Sequence, residues 1–302
     1  MIDPVPSEYL VPFDGRFAVA ATPTSPETVV PKNKAKHKLH KVVSEISERQ
    51  RSLYAEGRRS LLLVFQAMDA AGKDGTIRAL LTGVNPAGVQ VSAFKAPSAN
   101  ELDHDFLWRT TQRLPARGII GAFNRSYYEE VLVVRVHPEY LKGQRLPPVD
   151  SLEQRWDQRF EAIREHERHL ARSGTTILKF WLNVGREAQR ERLLARLDEP
   201  DARWKFNGGD LAERAAWPEY QHAYREVLRN TSRSWAPWYA IPADDKPTAR
   251  LLVARIVRKA LRAMDPQPPA MSADNLSKLE RWRQELAPPQ VDVKSLSPKD
   301  ED

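Results

Sequence analysis

No cysteine occurs among the 302 residues. Disulfides, cysteine nucleophiles and thiolate metal sites are therefore excluded, and a reducing cytoplasm is the expected compartment. No apolar run approaches the roughly 20 residues that a membrane-crossing helix needs. The opening "MIDPVPSEYLVPFDGRFAVAATPTSPETVV" has no basic start followed by an apolar stretch, so no export signal is expected. Internal repeats are absent too. "REHERH" carries His166 and His169 without the H-E-x-x-H spacing of a helical zinc site, and reads as an exposed helix face. Acidic residues are in deficit: 40 Asp and Glu against 47 Lys and Arg leave a formal net charge of +7. Such a balance suggests a polyanionic partner. Nucleic acid, an acidic membrane surface and a long phosphate polymer would each satisfy it.

Residues 1–37, rich in Pro, Thr and Ser, read as an extended arm. A core over 38–265 and a polar, proline-rich tail over 266–302 follow, the tail with one helix at "NLSKLERWRQEL". The basic cluster "KNKAKHKLHK" is either the solvated start of a helix that ends at Gly57 or an anion-binding element. Within the core, "SLLLVFQ", "VQVSAF", "GIIGAF", "TTILKFWLNV" and "WYAIP" read as strands. Helical patterns lie between and after them: "TIRALLTGV", "NELDHDFLWRTTQRL", "SLEQRWDQRFEAIREHERHLARSG", "REAQRERLLARLDE" and "PTARLLVARIVRKALRAM". From about Pro200 to residue 230 the chain reads as polar and irregular. Strands alternating with helices predict an α/β fold, a parallel sheet covered on both faces.

The first strand runs into "FQAMDAAGKDG", a phosphate-binding loop with two letters missing. Against G-x-x-x-x-G-K-[ST], Gly72 and Lys73 fit, but Ala67 replaces the first glycine and Asp74 the Mg²⁺-holding hydroxyl. Small residues at 70–72, Ala70, Ala71 and Gly72, let backbone N–H groups curl around an anion, and the helix that follows adds its positive N-terminal end. Lys73 adds a point charge. An acid aimed at phosphate is unfavourable without an intervening cation, so Asp69 reads as a Mg²⁺ ligand or as an orienter of phosphate. Asp74 either takes the missing hydroxyl's place or favours the positive helix start.

The neighbouring strand ends bring Lys95, Asn124 and Arg125 to the same edge, the last suited to a bidentate phosphate clamp. Glu129 fits the fourth place of a capping box opened by Ser126. Downstream, Gln189, Arg192 and Arg196 share a helical face, and Arg203 and Lys205 enter the irregular stretch. Together they read either as a solvated face or as the lid of a phosphoryl-transfer enzyme.

Longer motifs then carry a resemblance. "MDAAGKDG", "FKAPS", "HDFLWR", "FNRSYYEEVLVVRVHPE", "QRERLLARLDEPDARWKFNGGDL" and "APWYAIPADDK" resemble polyphosphate kinase family 2 over about residues 40–265. The resemblance implies a thymidylate-kinase-like P-loop kinase fold of three layers with a helical lid at about 186–230. It implies reversible phosphate transfer from inorganic polyphosphate to ADP and AMP, with Mg²⁺ or Mn²⁺, by a homodimer or homotetramer. Neither nucleic acid nor membrane is then a partner. The family's loop acid falls on Asp69, which would also hold the metal, its loop lysine on Lys73, its second-strand arginine on Arg125, and its lid arginines on Arg192 and Arg196. Ala71, Gly72, Asp74, Gly75, Lys95 and Lys205 join the expected phosphate contacts, and Asn124 and Glu129 the nucleotide contacts. The F-N-R-S-Y-Y-E-E-V form resembles the subgroup that accepts AMP as well as ADP. Ala67, where the family commonly has glycine, adds a methyl beside the phosphates. Two rivals stand beside this reading: an ATP-dependent metabolite or nucleotide kinase, for which Ser or Thr at 74 is expected, and a non-catalytic polyanion-binding protein.

Overall fold

Ser60–Gln66 (β1) is apolar in both phases of the strand repeat, as a strand buried on both faces must be, and every residue of it is buried. It is the central strand of a five-stranded sheet in a computed structural model that describes residues 2–287. Val89–Ala93 (β2), Ile120–Asn124 (β3), Thr175–Asn183 (β4) and Trp238–Pro242 (β5) complete the order β2-β3-β1-β4-β5. All pairings are parallel, with Val64 opposite both Phe123 and Lys179. Because β1 pairs with β3 and β4, the carboxyl ends of the three strands form one edge, with the loops after Gln66 and Asn124 side by side.

The chain forms two units, Met1–Gln267 and Pro268–Asp302. In the first, Lys32–Glu56 (α1) and Lys73–Leu81 (α2) are followed by two single turns, Ala99–Leu102 (α3) and Trp108–Thr111 (α4). Val133–Val136 (α5), Leu152–Arg172 (α6), Arg186–Asp198 (α7), Gly209–Ala215 (α8), Trp217–Thr231 (α9) and Lys246–Met264 (α10) complete it. Helices α1, α2 and α10 pack together as one layer, and α5, α6 and α9 as the other, giving the expected three-layer α/β fold. The second unit contains Ala273–Leu286 (α11), capped by Ser272, whose hydroxyl accepts from Asn275 N. The end of the tail, 288–302, lies outside the described residues. No helix among the described residues is long and apolar enough to cross a membrane.

The proline-rich start lies along β5: Val11 N donates to Trp238 O (2.9 Å), and Ala240 N to Tyr9 O (2.8 Å). Val5 and Val11 are buried there, and Val19 is buried where its turn meets α9.

Two expectations are corrected. "NELDHDFLWRTTQRL" is not one helix, because Asp105 interrupts it and its carboxylate accepts from Leu107 N (2.9 Å), restarting the chain at α4. Nor is the stretch up to residue 230 irregular. Tyr220, Ala223, Tyr224, Val227, Leu228 and Thr231 form a helical stripe that buries α9, with Pro218 in its first turn, where proline is tolerated.

A charged network fills the interior between the layers. Lys179 on β4 is fully buried, and its Nζ donates to Glu167 Oε2 (2.7 Å), Tyr128 Oη (2.8 Å) and the Thr231 carbonyl (2.8 Å). Tyr127 and Tyr128 donate to Glu167 Oε1 (2.9 and 2.8 Å). The network anchors the 3-10 turn Tyr127–Val131, which follows Arg125 and carries Glu129.

Candidate active site

At the end of β1 the chain must reverse into α2 within a few residues. Ala70 (φ 61°) and Gly72 (φ 104°) do this from the left-handed region, which glycine enters freely and alanine at a cost of about 1 kcal/mol. Gly72 is the N-cap of α2 and offers no side-chain cap, so first-turn amides remain available to an anion. Lys73 is buried and folds back on its own loop, donating to Ala67 O (2.7 Å) and Met68 O (3.3 Å). Burial, and after it the Arg125 guanidinium, lowers its ammonium to about 8, although Asp69, Glu129 and Asp74 act the other way.

Arg125 sits just past β3 with φ 64°. Its guanidinium bridges two carboxylates, donating to Asp69 Oδ1 (2.7 Å) and Glu129 Oε2 (3.0 Å). Glu129, and then Asp69, raise its pKa against the effect of burial. The bond from Arg125 falls on Asp69 Oδ1, and no hydrogen bond among the described residues reaches Oδ2. Asn124 Nδ2 donates to Asp74 Oδ1 (2.5 Å), so Asp74 is tied to the end of β3 while also favouring the start of α2.

Ser126 does cap the turn, but its hydroxyl accepts from Tyr128 N, and the Glu129 carboxylate turns to Arg125 instead of closing a capping box. A complete capping box forms elsewhere, between Ser98 and Glu101 at α3.

Helix α7 leans on the loop. Gln189 Nε2 donates to Asp69 O (3.1 Å). Arg192 donates to the Ala70 and Ala71 carbonyls (both 3.1 Å) and to those of Ala243 (2.6 Å) and Asp244 (2.8 Å). Its guanidinium is thus engaged with backbone, tying the phosphate loop to the β5–α10 loop. Arg196 pairs with Asp210 of α8 (3.3 Å). Lys95 is exposed at the end of β2, and its carbonyl accepts from Arg109 (2.6 Å). Gly75 lies in the first turn of α2. The side chain of Lys205 lies outside the described residues.

Two adjoining cavities open beside this cluster and share Arg125 and Glu129. One, of ≈ 370 Å³, is lined by Asp69, Asp210, Glu213, Tyr220 and Tyr224 among others. The other, of ≈ 530 Å³, has cations at Lys95 and Arg109 and apolar walls from Leu102, Phe106, Val133 and Val134. Burial, and after it Asp69, raises the Asp210 carboxyl. Buried Glu130 also faces the larger cavity, joined to Arg159 (2.9 Å) and to Gln144 (2.8 Å). Sequence reasoning missed Asp210, Tyr224, Arg109 and Glu130. For Tyr224 the helical stripe of α9 was a usable signal, whereas the other three come together only through tertiary packing.

The lysine supports a pH prediction. Bound phosphate favours the protonated ammonium, so a free-enzyme value of about 8 means that binding above that pH requires proton uptake. We expect kcat/KM for the phosphate donor to be level below pH 8 and to fall as pH rises through it. Calorimetry at pH 8.5 in buffers of different ionisation enthalpy should register proton uptake on binding. An alkaline limb absent up to pH 9.5 would contradict this.

A parallel sheet with a phosphate loop at its carboxyl edge, a buried loop lysine and an arginine from the adjacent strand defines a P-loop kinase type of phosphoryl-transfer enzyme. The comparisons specify it further: residues 29–269 match the family profile of polyphosphate kinase 2, and the chain belongs to that family. It is 47% identical over 266 residues to an ADP-polyphosphate phosphotransferase of Rhodopseudomonas palustris, covering 86% of this chain and 92% of the relative. To an AMP/ADP-polyphosphate phosphotransferase of Meiothermus ruber it is 44% identical over 264 residues, with 87% and 95% covered. The crystal structure of polyphosphate kinase 2 from Arthrobacter aurescens superposes with a TM-score of 0.81 at 37% identity, covering 89% of this chain and 93% of that one.

Proposed function

We propose that the chain transfers the terminal phosphoryl group of inorganic polyphosphate to ADP, and to AMP, in a reversible reaction. The observation that carries this is the Asp69–Arg125–Glu129 bridge near Lys73, with Arg125 and Glu129 lining both cavities. An oxygen of the nucleotide's terminal phosphate attacks the terminal phosphorus of the polymer. The anhydride bond to the next phosphorus breaks, and the shortened polymer leaves with the electron pair. The attacking oxygen is already ionised at neutral pH, so no general base is required. Positioning and charge neutralisation remain, the tasks that dominate phosphoryl transfer.

Lys73 and the first-turn amides of α2 hold the donor's phosphates, and Arg125 releases a carboxylate to reach the phosphoryl group in flight. The larger cavity accepts the nucleoside against Phe106 and Val133, with Lys95 and Arg109 toward its phosphates. Asn124 and Glu129 border the acceptor phosphate. Asp69 fits Mg²⁺, or Mn²⁺ in its place. One carboxylate oxygen is open, and no group of three or more His, Cys, Asp or Glu among the described residues is placed to cage a metal. A Mg²⁺ held by one or two carboxylates plus substrate phosphates has this character. The ion supplies charge neutralisation between two polyanions.

The AMP step is tested with purified protein, Mg²⁺, polyphosphate and AMP, with adenylate kinase excluded. ADP should form first and ATP after it. Product from ADP but none from AMP would restrict the acceptor to ADP.

A further inference from the structure

The proline-rich start of the chain has no part in the site described so far, yet it closes on a carboxylate that does. Asp244, in the loop after β5, accepts on Oδ2 from Thr24 Oγ1 (2.6 Å) and Ser25 Oγ (2.9 Å). Its Oδ1 accepts from Gly185 N (2.7 Å), and its own backbone N donates to Thr24 O (2.9 Å). Three segments thus meet on one side chain: the arm, the start of α7 and the β5–α10 loop. Asn183, at the end of β4, holds the arm again, its Nδ2 donating to the Thr22 and Pro23 carbonyls (3.1 and 3.2 Å). Neighbouring Asp245 is engaged elsewhere, capping α10 through Thr248 N (2.8 Å).

Gly185 is the N-cap of α7 and brings no capping side chain, so the Asp244 carboxylate stands at the positive end of that helix. A Cβ on Gly185 would lie 3.1 Å from both Asp244 Oδ2 and Thr24 Oγ1, and glycine there permits the close approach.

From Asp244 the contacts reach the phosphate loop through a single residue. Arg192, two turns into α7, donates to the Asp244 carbonyl (2.8 Å) and to the Ala70 and Ala71 carbonyls. Burial lowers the pKa of this guanidinium, and Asp244 is the strongest of the charges that act the other way. Because a peptide unit is planar, fixing the Ala71 carbonyl also fixes the N–H of Gly72, which precedes Lys73. The hydroxyl bonds from the arm end on an ionised carboxylate, the kind of hydrogen bond that is stronger than a neutral pair.

We propose that Asp244 is a positioning residue for phosphoryl transfer and that Thr24 and Ser25 of the arm complete it as a latch. The arm holds the carboxylate, the carboxylate sets the start of α7 and Arg192, and Arg192 keeps the phosphate loop in the shape that receives the donor. The inference rests on polyphosphate being the donor. It gives the arm a part in catalysis although no residue of it touches the site.

The test compares wild type with T24V/S25A, which removes both hydroxyls, and with T24S/S25T, which keeps them. G185A presses on the same carboxylate from the α7 side. Values of kcat and KM are measured for polyphosphate and for ADP, beside the unfolding temperature. The latch predicts that kcat/KM for polyphosphate falls about tenfold in T24V/S25A and in G185A, as expected for lost hydrogen bonds to a charged group. KM for ADP should stay within about twofold of wild type, and T24S/S25T should match wild type for both substrates. Combining G185A with T24V/S25A should cost little more than either, because both act on one carboxylate. Donor kcat/KM at the wild-type value in T24V/S25A would overturn the proposal. So would a T24S/S25T variant as impaired as T24V/S25A, which would make packing of the arm responsible. Equal losses toward polymer and ADP, with a lowered unfolding temperature, would reduce the latch to a folding contact and overturn it as well. If the wild type transferred no phosphate at all, the functional reading would fail, and hydrogen exchange would still decide the latch. Amides of the phosphate loop and of the first turn of α7 should exchange faster in T24V/S25A than in wild type or T24S/S25T, and unchanged exchange would contradict it.

Discussion

Lys73→Ala and Asp69→Ala are each expected to lower kcat/KM by about a thousandfold or more, equivalent to roughly 4 kcal/mol of transition-state stabilisation. Lys73 is the buried cation of the loop, and Asp69 the acid that orders Arg125. Neither loss should unfold the protein. Arg125 keeps Glu129 as a partner after Asp69→Ala. Lys73 is held charged against burial, so its folded value, about 8, lies below that of the unfolded chain. Its contribution to stability is therefore least below pH 8 and recovers as pH rises toward the ordinary lysine range. Removing it should leave the unfolding temperature at or above that of wild type, as expected where function is maintained at some cost in stability. Near-normal turnover in either variant would refute its assigned role. A large drop in unfolding temperature would make the lost activity a folding effect.

The second large effect concerns stability. Lys179→Met leaves Glu167 with no countercharge at a position that is 0% exposed, and breaking such a buried pair from one side costs about 3–5 kcal/mol. For a domain of this size that corresponds to a fall of about 10 °C in Tm. Adding Glu167→Leu should restore part of the loss, because no lone charge is then buried. Thermal unfolding of the single and double variants measures both. A single variant within 1 kcal/mol of wild type would mean that Glu167 is readily neutralised by protonation. Activity should fall with stability, since Tyr127 and Tyr128 tie the turn bearing Glu129 to this carboxylate.

The sheet was legible because a doubly buried parallel strand leaves a nearly continuous apolar run, and "SLLLVFQ" and "TTILKFWLN" are such runs. Lys179 interrupts the second without changing its reading, and nothing local discloses that its ammonium meets Glu167 on another element. The helix expected over "NELDHDFLWRTTQRL" does not form as one element because the Asx turn at Asp105, which apolar spacing does not disclose, is a local backbone bond that competes with helix. The pattern of α9 is obscured in the sequence because Tyr220 and Tyr224 lie among charged residues, although their spacing is helical.

In the site, the loop was legible from Gly72 and Lys73, and the proximity of Arg125 from its place after a strand. The partners were not. The capping reading for Glu129 was reasonable on spacing, yet the carboxylate meets Arg125, which is brought within reach by its left-handed backbone. Arg192, expected at phosphate, holds four carbonyl oxygens, a role that depends on two loops far apart in sequence.

ATP formation from ADP, long-chain polyphosphate and Mg²⁺, with ATP omitted and adenylate kinase removed, tests the central claim most directly. The account predicts ATP in proportion to the phosphate lost from the polymer, and none when polyphosphate is left out. No ATP, beside an active control enzyme, would contradict it, and so would product that appears only when ATP is supplied as donor.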